Sequence, residues 1–368
     1  MATSVAGVDC GEVIAVSTVT QPFAQTLAPS SIKELAVVTM KEVAELAGVS
    51  ITTVSHVVNS TRSVAPETKA RVLAAVEQTG YTGDAIARSL VTGGTRTLGV
   101  AISLVANPYF AELLRSMEHE ITRSGYTLVL ADTHDEPSVE QAAVRTLRSR
   151  RVDGLILTPS PGALVLRELR QLQIPLVLVD RLTTAQDLDQ VGPENIYATS
   201  GLVQHLASVG HRRIGMISGI EGLATTTERV LGYRLGLGRA KLTWDPALVV
   251  SGSSAAAPAA AALGEMLSLP SPPTAVVAGN NVMLSGVLHE CRARGLKVGR
   301  DLAVVGYDDV DWADLVDPPV TTVAQPIAEM GRAAVRMLLE RIADPSRKPT
   351  TARLPTTFVH RNSCGCGL

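Results

Sequence analysis

The residues best placed to do chemistry are short polar side chains set at helical spacing between positions 50 and 59. Thr52, Thr53, Ser55, His56 and Asn59 share the polar face of one short helix, with Ser50 directly before it. Such groups hydrogen-bond to phosphate oxygens and to base edges in a DNA major groove. Lys69, Arg71, Arg88 and Arg96 follow, with only Glu77 and Asp84 as acids among them. The whole chain carries a formal net charge of −2. Any attraction to a polyanion therefore has to come from a local patch.

A second polar set lies downstream. Asn280 and Asp308 each close an apolar run of strand length, and Arg229 follows Thr225 near the opening of a helical stretch. Guanidinium and carboxylate each make two parallel hydrogen bonds, so Arg, Asp and Asn together suit adjacent hydroxyls, as on a sugar. Each residue singly also has a structural role open to it: Asp308 as a cap, Arg229 as a salt-bridge partner, Asn280 as a turn residue. Enzyme signatures are missing. No Gly-rich phosphate loop follows a strand, and there is no G-x-S-x-G elbow. His119, His134, His205, His211, His289 and His360 are scattered and read as surface or helix-end residues. Cys10, Cys291, Cys364 and Cys366 make no disulfide framework. The Cys364-x-Cys366 pair can bind metal, but no further His or Cys nearby is read as completing a ligand set. Free thiols, no metal and no cofactor are expected.

The elements that must position these residues come in three textures. Residues 1–38 show no periodicity and are expected to be a disordered tail. Residues 39–84 hold three short amphipathic helices. Val43, Leu46 and Ala47 mark the inner face of the first, and Gly48 suits the left-handed turn after it. Ser50 stands at an N-cap, and Val54, Val57 and Val58 face inward from the second helix. The third starts near Pro66, is expected to bury Val72, Leu73 and Val76, and stops at Gly80. Two helices around a tight turn make a helix-turn-helix; a three-helix bundle for protein contact is the alternative. Residues 85–96 read as a short helical turn, Ala85 to Leu90, and a Gly93-Gly94 linker. It is too short to hold a helix alone.

From residue 97 onward, apolar runs alternate with amphipathic stretches of helix length. The runs include LGVAISL, YTLVLAD, VDGLILTP, IPLVLVD, RIGMISG, TAVVAGN and LAVVGYDD. This is the pattern of buried parallel sheets. About ten such units exceed one doubly wound sheet, so residues 97–368 are expected to form two α/β lobes with a cleft between them. No stretch approaches the roughly 18 apolar residues of a membrane span, and the N-terminus lacks a signal-peptide pattern. A cytoplasmic protein with no membrane partner is expected.

The run T-M-K-E-V-A-E-L-A-G-V-S-I-T-T-V-S-H-V-V-N, followed by V-A-P-E-T-K-A-R-V, resembles the head of the LacI/GalR repressor family. A-R-S-L resembles its hinge helix. Asn107-Pro108-Tyr109-Phe110, Val179-Asp180-Arg181, Gly210-His211-Arg212-Arg213-Ile214, Gly306-Tyr307-Asp308-Asp309 and Arg361-Asn362-Ser363-Cys364-Gly365 resemble marks of its periplasmic-binding-protein-like core. The resemblance implies a repressor of the nucleoid, not an enzyme, and covers about residues 39–366. It implies that Ile51, Thr52 and His56 read bases, that Thr39, Ser50, Thr53, Ser55 and Asn59 hold phosphates, and that Leu90 wedges into the minor groove. It also implies an effector cleft lined by Thr225, Arg229, Asn280 and Asp308, with Tyr109 and Phe110 opposite and Gln325 at the crossover.

Three positions depart from the family pattern. His56 stands where many members carry Arg, and Gly83 and Asp84 where Pro and Asn are usual. Leu223 stands where the purine-responsive branch has a charged residue, which argues against a purine. Ser253 and Ser254 stand where sugar-responsive members stack an aromatic ring, and Trp312 is the candidate to replace it. The family's tetramers add a heptad tail, which does not follow Cys366 here. A homodimer on palindromic operator DNA is therefore expected. A transport solute-binding protein shares the lobed core but should have a signal peptide and no such head.

Overall fold

The computed structural model describes residues 38–58, 62–81, 94–103, 106–163, 165–172 and 174–366. The chain divides between Gly83 and Asp84 into two compact units.

The first unit is helical: α1 (Met40–Ala47), α2 (Ile51–Val58) and α3 (Pro66–Thr79). Thr39 opens α1 with a capping box: Glu42 N donates to Thr39 Oγ1 at 3.4 Å, and Thr39 N donates to Glu42 Oε2 at 2.6 Å. Gly48 ends it at φ 63°, a left-handed conformation that costs a glycine nothing. Thr53 N then donates to Ser50 Oγ at 3.1 Å, capping α2. Val43, Ala44, Ala47, Val54, Val57, Val72, Ala75 and Tyr81 form the core. Leu46 and Leu73, expected inside, are 48% and 49% exposed. Ala44 and Ala75 take the inner positions instead. Helices joined by so short a turn must approach closely, and side-chain size at the contact sets that distance.

The second unit contains two six-stranded sheets. β1 (Thr97–Ile102), β2 (Thr127–Asp132), β3 (Gly154–Leu157), β4 (Leu176–Val179), β5 (Asp189–Pro193) and β11 (Thr351–Leu354) lie in the order β11-β5-β4-β3-β1-β2. β6 (Ile214–Ser218), β7 (Val249–Ser251), β8 (Ala275–Ala278), β9 (Ala303–Tyr307), β10 (Thr321–Ala324) and β12 (Thr357–Val359) lie in the order β12-β10-β9-β8-β6-β7. Neighbours are parallel except β10 and β12. Each sheet thus repeats the doubly wound order 2-1-3-4-5, which places a ligand crevice beyond the carboxyl ends of the strands.

Helices cover both faces of each sheet. In the first lobe, α4 (Pro108–Arg123) and α11 (Ile327–Ala343) pack Leu113, Met117, Met330 and Leu338 on one face. α5 (Pro137–Ser149) and α6 (Val165–Leu172) pack Val144, Leu147 and Leu169 on the other. In the second lobe, α7 (Ile196–Val209) and α8 (Ala224–Arg239) face α9 (Ala256–Leu267) and α10 (Asn281–Ala293) across the sheet. The chain crosses between lobes after β5, β10 and β11. Among the described residues no helix is long and apolar enough to cross a membrane.

The histidines and thiols need a correction. His205 on α7 and His360 after β12 lie beside Cys364 and Cys366, with all four ligand atoms within 4.8 Å of one another. Three separate stretches converge there, which scatter in sequence conceals.

Candidate functional site

The head presents α2 with Val54 and Val57 buried, Ile51 and Thr52 exposed, and Thr53, Ser55 and His56 half-buried. Thr39 and Ser50 are exposed at the starts of α1 and α2. Both hydroxyls already act as caps, and Ser50 Oγ lies 2.9 Å from Thr53 Oγ1. A hydroxyl has one donor and two acceptor sites. Thr39 Oγ1 spends its donor on Glu42 Oε2 at 3.1 Å, whereas of the Ser50 and Thr53 hydroxyls one donates to the other, which leaves one proton to meet a phosphate. Lys69 and Arg71 are exposed on α3. Arg96 belongs to the second unit, where its guanidinium lies 5.3 Å from the Tyr126 ring centre. Asn59, Arg88 and Leu90, with the rest of the expected hinge, lie outside the described residues.

The second unit's crevice lies beyond the carboxyl ends of both sheets. All seven expected residues line it: Tyr109, Phe110, Thr225, Arg229, Asn280, Asp308 and Gln325. Arg229, only 7% exposed, donates from Nε to Asn195 Oδ1 at 3.0 Å and from NH1 to the Gly279 carbonyl at 2.6 Å. Its guanidinium sits 4.0 Å from the Tyr307 ring centre. Two of five guanidinium donors are thereby used, and the remainder are held rigidly for another acceptor. Asn280 caps α10, its Oδ1 accepting from Met283 N at 2.7 Å, which leaves its amide donors unspent.

Asp308 has a counterpart that sequence reasoning did not select as a site residue. Asp180 follows β4 as Asp308 follows β9, so the two stand at equivalent places in the two lobes. Their φ angles are 70° and 67°. Their backbone N–H groups donate to the next strand in each sheet, at Val191 and Val323. Two non-glycine residues held in the left-handed region cost free energy that surrounding structure must offset, a pattern that gathers at functional sites. The repeat in the sequence, an Asp closing the strand in both VLVD and VVGYD, is the signal that pointed there.

A line of polar contacts joins the two carboxylates across the crevice. Tyr109 OH donates to Asp180 Oδ1 at 2.6 Å and lies 3.4 Å from Gln325 Oε1. Gln325 Nε2 donates to Asp308 Oδ1 at 2.5 Å, and Asn281 N donates to Asp308 Oδ2 at 3.1 Å. A second cross-lobe bond runs from Asn281 Nδ2 to Asn107 Oδ1 at 2.8 Å. Burial pushes the Asp180 carboxyl above its ordinary range, opposed by Arg181, Tyr109 and Arg229. Burial, and then the Asp180 charge, raise the Tyr109 phenol well above its usual value, so it stays a donor.

The first lobe also supplies a buried ion pair missed from sequence. Arg181 pairs with Asp135, packs 5.8 Å from the Phe110 ring centre and donates to the Pro159 carbonyl at 3.0 Å. Around it Ser103 Oγ, Thr133 Oγ1, Thr158 Oγ1, Ser160 Oγ, Glu140 Oε1 and Arg181 Nε are buried with no hydrogen-bond partner in the protein. Leu223 and Ser254 line the crevice wall, and Ser254 Oγ accepts from Ile220 N. Trp312, expected as a stacking platform, does not line it. It is partly buried against the core of the second lobe instead.

Comparison with known proteins adds to this geometry. Residues 39–84 match the family model for bacterial regulatory proteins of the lacI family, and residues 203–364 match the periplasmic binding protein-like domain. The HTH-type transcriptional repressor PurR of Vibrio atlanticus (strain LGP32) is 34% identical over 327 residues, covering 88% of this chain and 98% of that protein. The ribose operon repressor of Escherichia coli (strain K12) is 35% identical, covering 88% and 99%. Among solved structures, the lac repressor dimer bound to operator and the anti-inducer ONPF superposes with a TM-score of 0.81 at 27% identity, covering 89% and 99%. The complex of the regulator CelR with cellobiose gives 0.68 at 30% identity, also covering 89% and 99%.

Proposed function

The chain belongs to the LacI family of bacterial regulatory proteins and is a DNA-binding transcriptional regulator; from that premise we propose that it is a cytoplasmic homodimeric repressor of a palindromic operator, controlled by a sugar or sugar derivative held in the crevice between its lobes. The observation that carries the effector assignment is the meeting of Arg229, Asn280 and Asp308 in one crevice, each fixed by protein partners and each with polar capacity left over. Fixed donors and acceptors facing one another suit vicinal hydroxyls. Leu223 makes the neighbouring wall apolar and is 3% exposed, which disfavours a charged ligand there. A relative named for ribose and a neighbour solved with cellobiose support the sugar class.

On the DNA side, Ile51, Thr52 and His56 would read base edges, and Thr39, Ser50, Thr53, Ser55 and Asn59 would hold phosphates. Leu90 would wedge open a minor-groove step. A transport function is disfavoured by the head.

Calorimetric titration of a panel of pentoses, hexoses and disaccharides tests the effector site. One sugar should bind the wild type with one site per chain, and Arg229→Ala or Asp308→Ala should abolish that heat. Undiminished binding by both variants would remove the crevice from consideration.

A further inference from the structure

We propose that His205, His360, Cys364 and Cys366 form a closed tetrahedral site for a borderline-soft divalent cation of the zinc type, which staples the end of the chain to the second lobe. The chain has seven histidines and four cysteines in 368 residues. Four of those eleven meet with their ligand atoms within 4.8 Å of one another, drawn from α7, the residue after β12 and the terminal turn. Cys364 Sγ lies 3.4 Å from His360 Nε2, and Cys366 Sγ lies 3.5 Å from His205 Nε2. A tetrahedron with Zn–S of about 2.3 Å and Zn–N of about 2.0–2.1 Å has S···N edges of about 3.6 Å. The two Cys–His separations are close to that length, so each pair can take an ion with little movement.

The donor set narrows the ion. Two thiols and two imidazoles, with no carboxylate in the group, exclude the oxygen-seeking calcium and magnesium. Four protein ligands leave no open position, which marks a structural rather than a catalytic site. The surroundings suit that role. The Phe358 ring stacks on His360 at 26° and lies 5.1 Å from His205, shielding one side. Cys364 is fully buried in the core shared by α7 and α8. Ser363, beside it, donates from Oγ to the Val304 carbonyl and accepts from Thr321 N, tying this turn to β9 and β10. An ion here would join α7, β12 and the terminal turn.

The test uses untagged full-length protein, reduced, stripped with a chelator and titrated with Co²⁺. One equivalent per chain should give the intense visible bands of tetrahedral cobalt with a thiolate charge-transfer band, and Zn²⁺ should displace it. His360→Gln and Cys366→Ser alter exposed or half-buried ligands, so the fold should survive, as thermal melts of the metal-free forms will show. Each should weaken Co²⁺ binding at least about 100-fold, the upper end of what loss of an outer-shell partner costs. Zn²⁺ should raise the melting temperature of the wild type and leave both variants unmoved, since only binding to the folded state shifts it. A pale octahedral spectrum in the wild type, or tetrahedral bands unchanged in both variants, would overturn the proposal. So would equal stabilisation of all three proteins by Zn²⁺.

Discussion

Glu140 shows how finely individual residues are balanced around the crevice. Its Oε2 accepts from Ser160 N at 2.5 Å, while Oε1 is buried without a protein partner. Burial raises its carboxyl above the ordinary 4.5, against the pull of the Ser160 bonds and Arg181. The folded state then holds this proton to higher pH than the unfolded chain does. Stability from this group is present below that window and is lost as pH rises through the folded value. Glu140→Gln has no charge to desolvate. Its melting temperature should exceed the wild type's at about pH 7.5 and converge with it near about pH 4.5. An equal difference at both pH values would contradict the burial argument. Leu90 makes a different residue-scale prediction. Leu90→Ala should lower operator affinity by about 1–3 kcal/mol while weak binding to random DNA persists. Equal loss on both DNAs, measured by anisotropy, would make Leu90 a folding residue. In the sequence, Asn280 and Asp308 stood out because strand ends are where such sheets bind ligands, and Arg229, inside a helix, was legible only through the family resemblance. Asp135 and Arg181 were not, because their pairing spans 46 positions that only the folded lobe brings together.

At the scale of elements, the strands that read clearly are those buried on both faces, such as β4 and β8, whose residues are all apolar. β5 was not legible, because its sequence D-Q-V-G-P looks like a turn. It is nevertheless fully buried, since Arg341 Nε donates to Asp189 Oδ2 at 2.9 Å and Thr350 N donates to Asp189 Oδ1 at 2.8 Å. Partners from α11 and the approach to β11 make it a strand, and local pattern cannot reveal them. Helix packing was equally hidden. A Cβ on Gly286 of α10 would lie 2.1 Å from the Ala256 carbonyl oxygen of α9, whereas one on Gly201 of α7 would meet nothing within 4 Å. Gly286→Ala should therefore destabilise by about 1–3 kcal/mol through overpacking. Gly201→Ala should stabilise by about 0.5–1 kcal/mol through helix propensity. Urea midpoints of the two variants should move in opposite directions; a shared direction would mean that backbone approach does not govern these positions.

At the scale of the whole molecule, a twofold operator would call for two heads. Sedimentation at micromolar concentration should give twice the 38.6 kDa chain mass. A stable tetramer or a monomer would contradict this. The line Asp180–Tyr109–Gln325–Asp308 and the Asn281–Asn107 bond tie one lobe to the other. A sugar that engages Arg229 and Asp308 must compete with or complete these links, and so biases how the lobes meet. Effector and operator would oppose each other through one coupling free energy of about 1–3 kcal/mol. The most direct measurement is titration of a labelled fragment of the protein's own promoter, with and without the sugar found by calorimetry, for wild type and Asp308→Ala. The wild-type midpoint should rise about 5- to 150-fold with sugar. The variant should match the wild type without sugar and stay there when sugar is added. A wild-type midpoint unmoved by a sugar that binds the protein, or a variant that responds at wild-type sugar concentrations, would contradict control of the operator from this crevice.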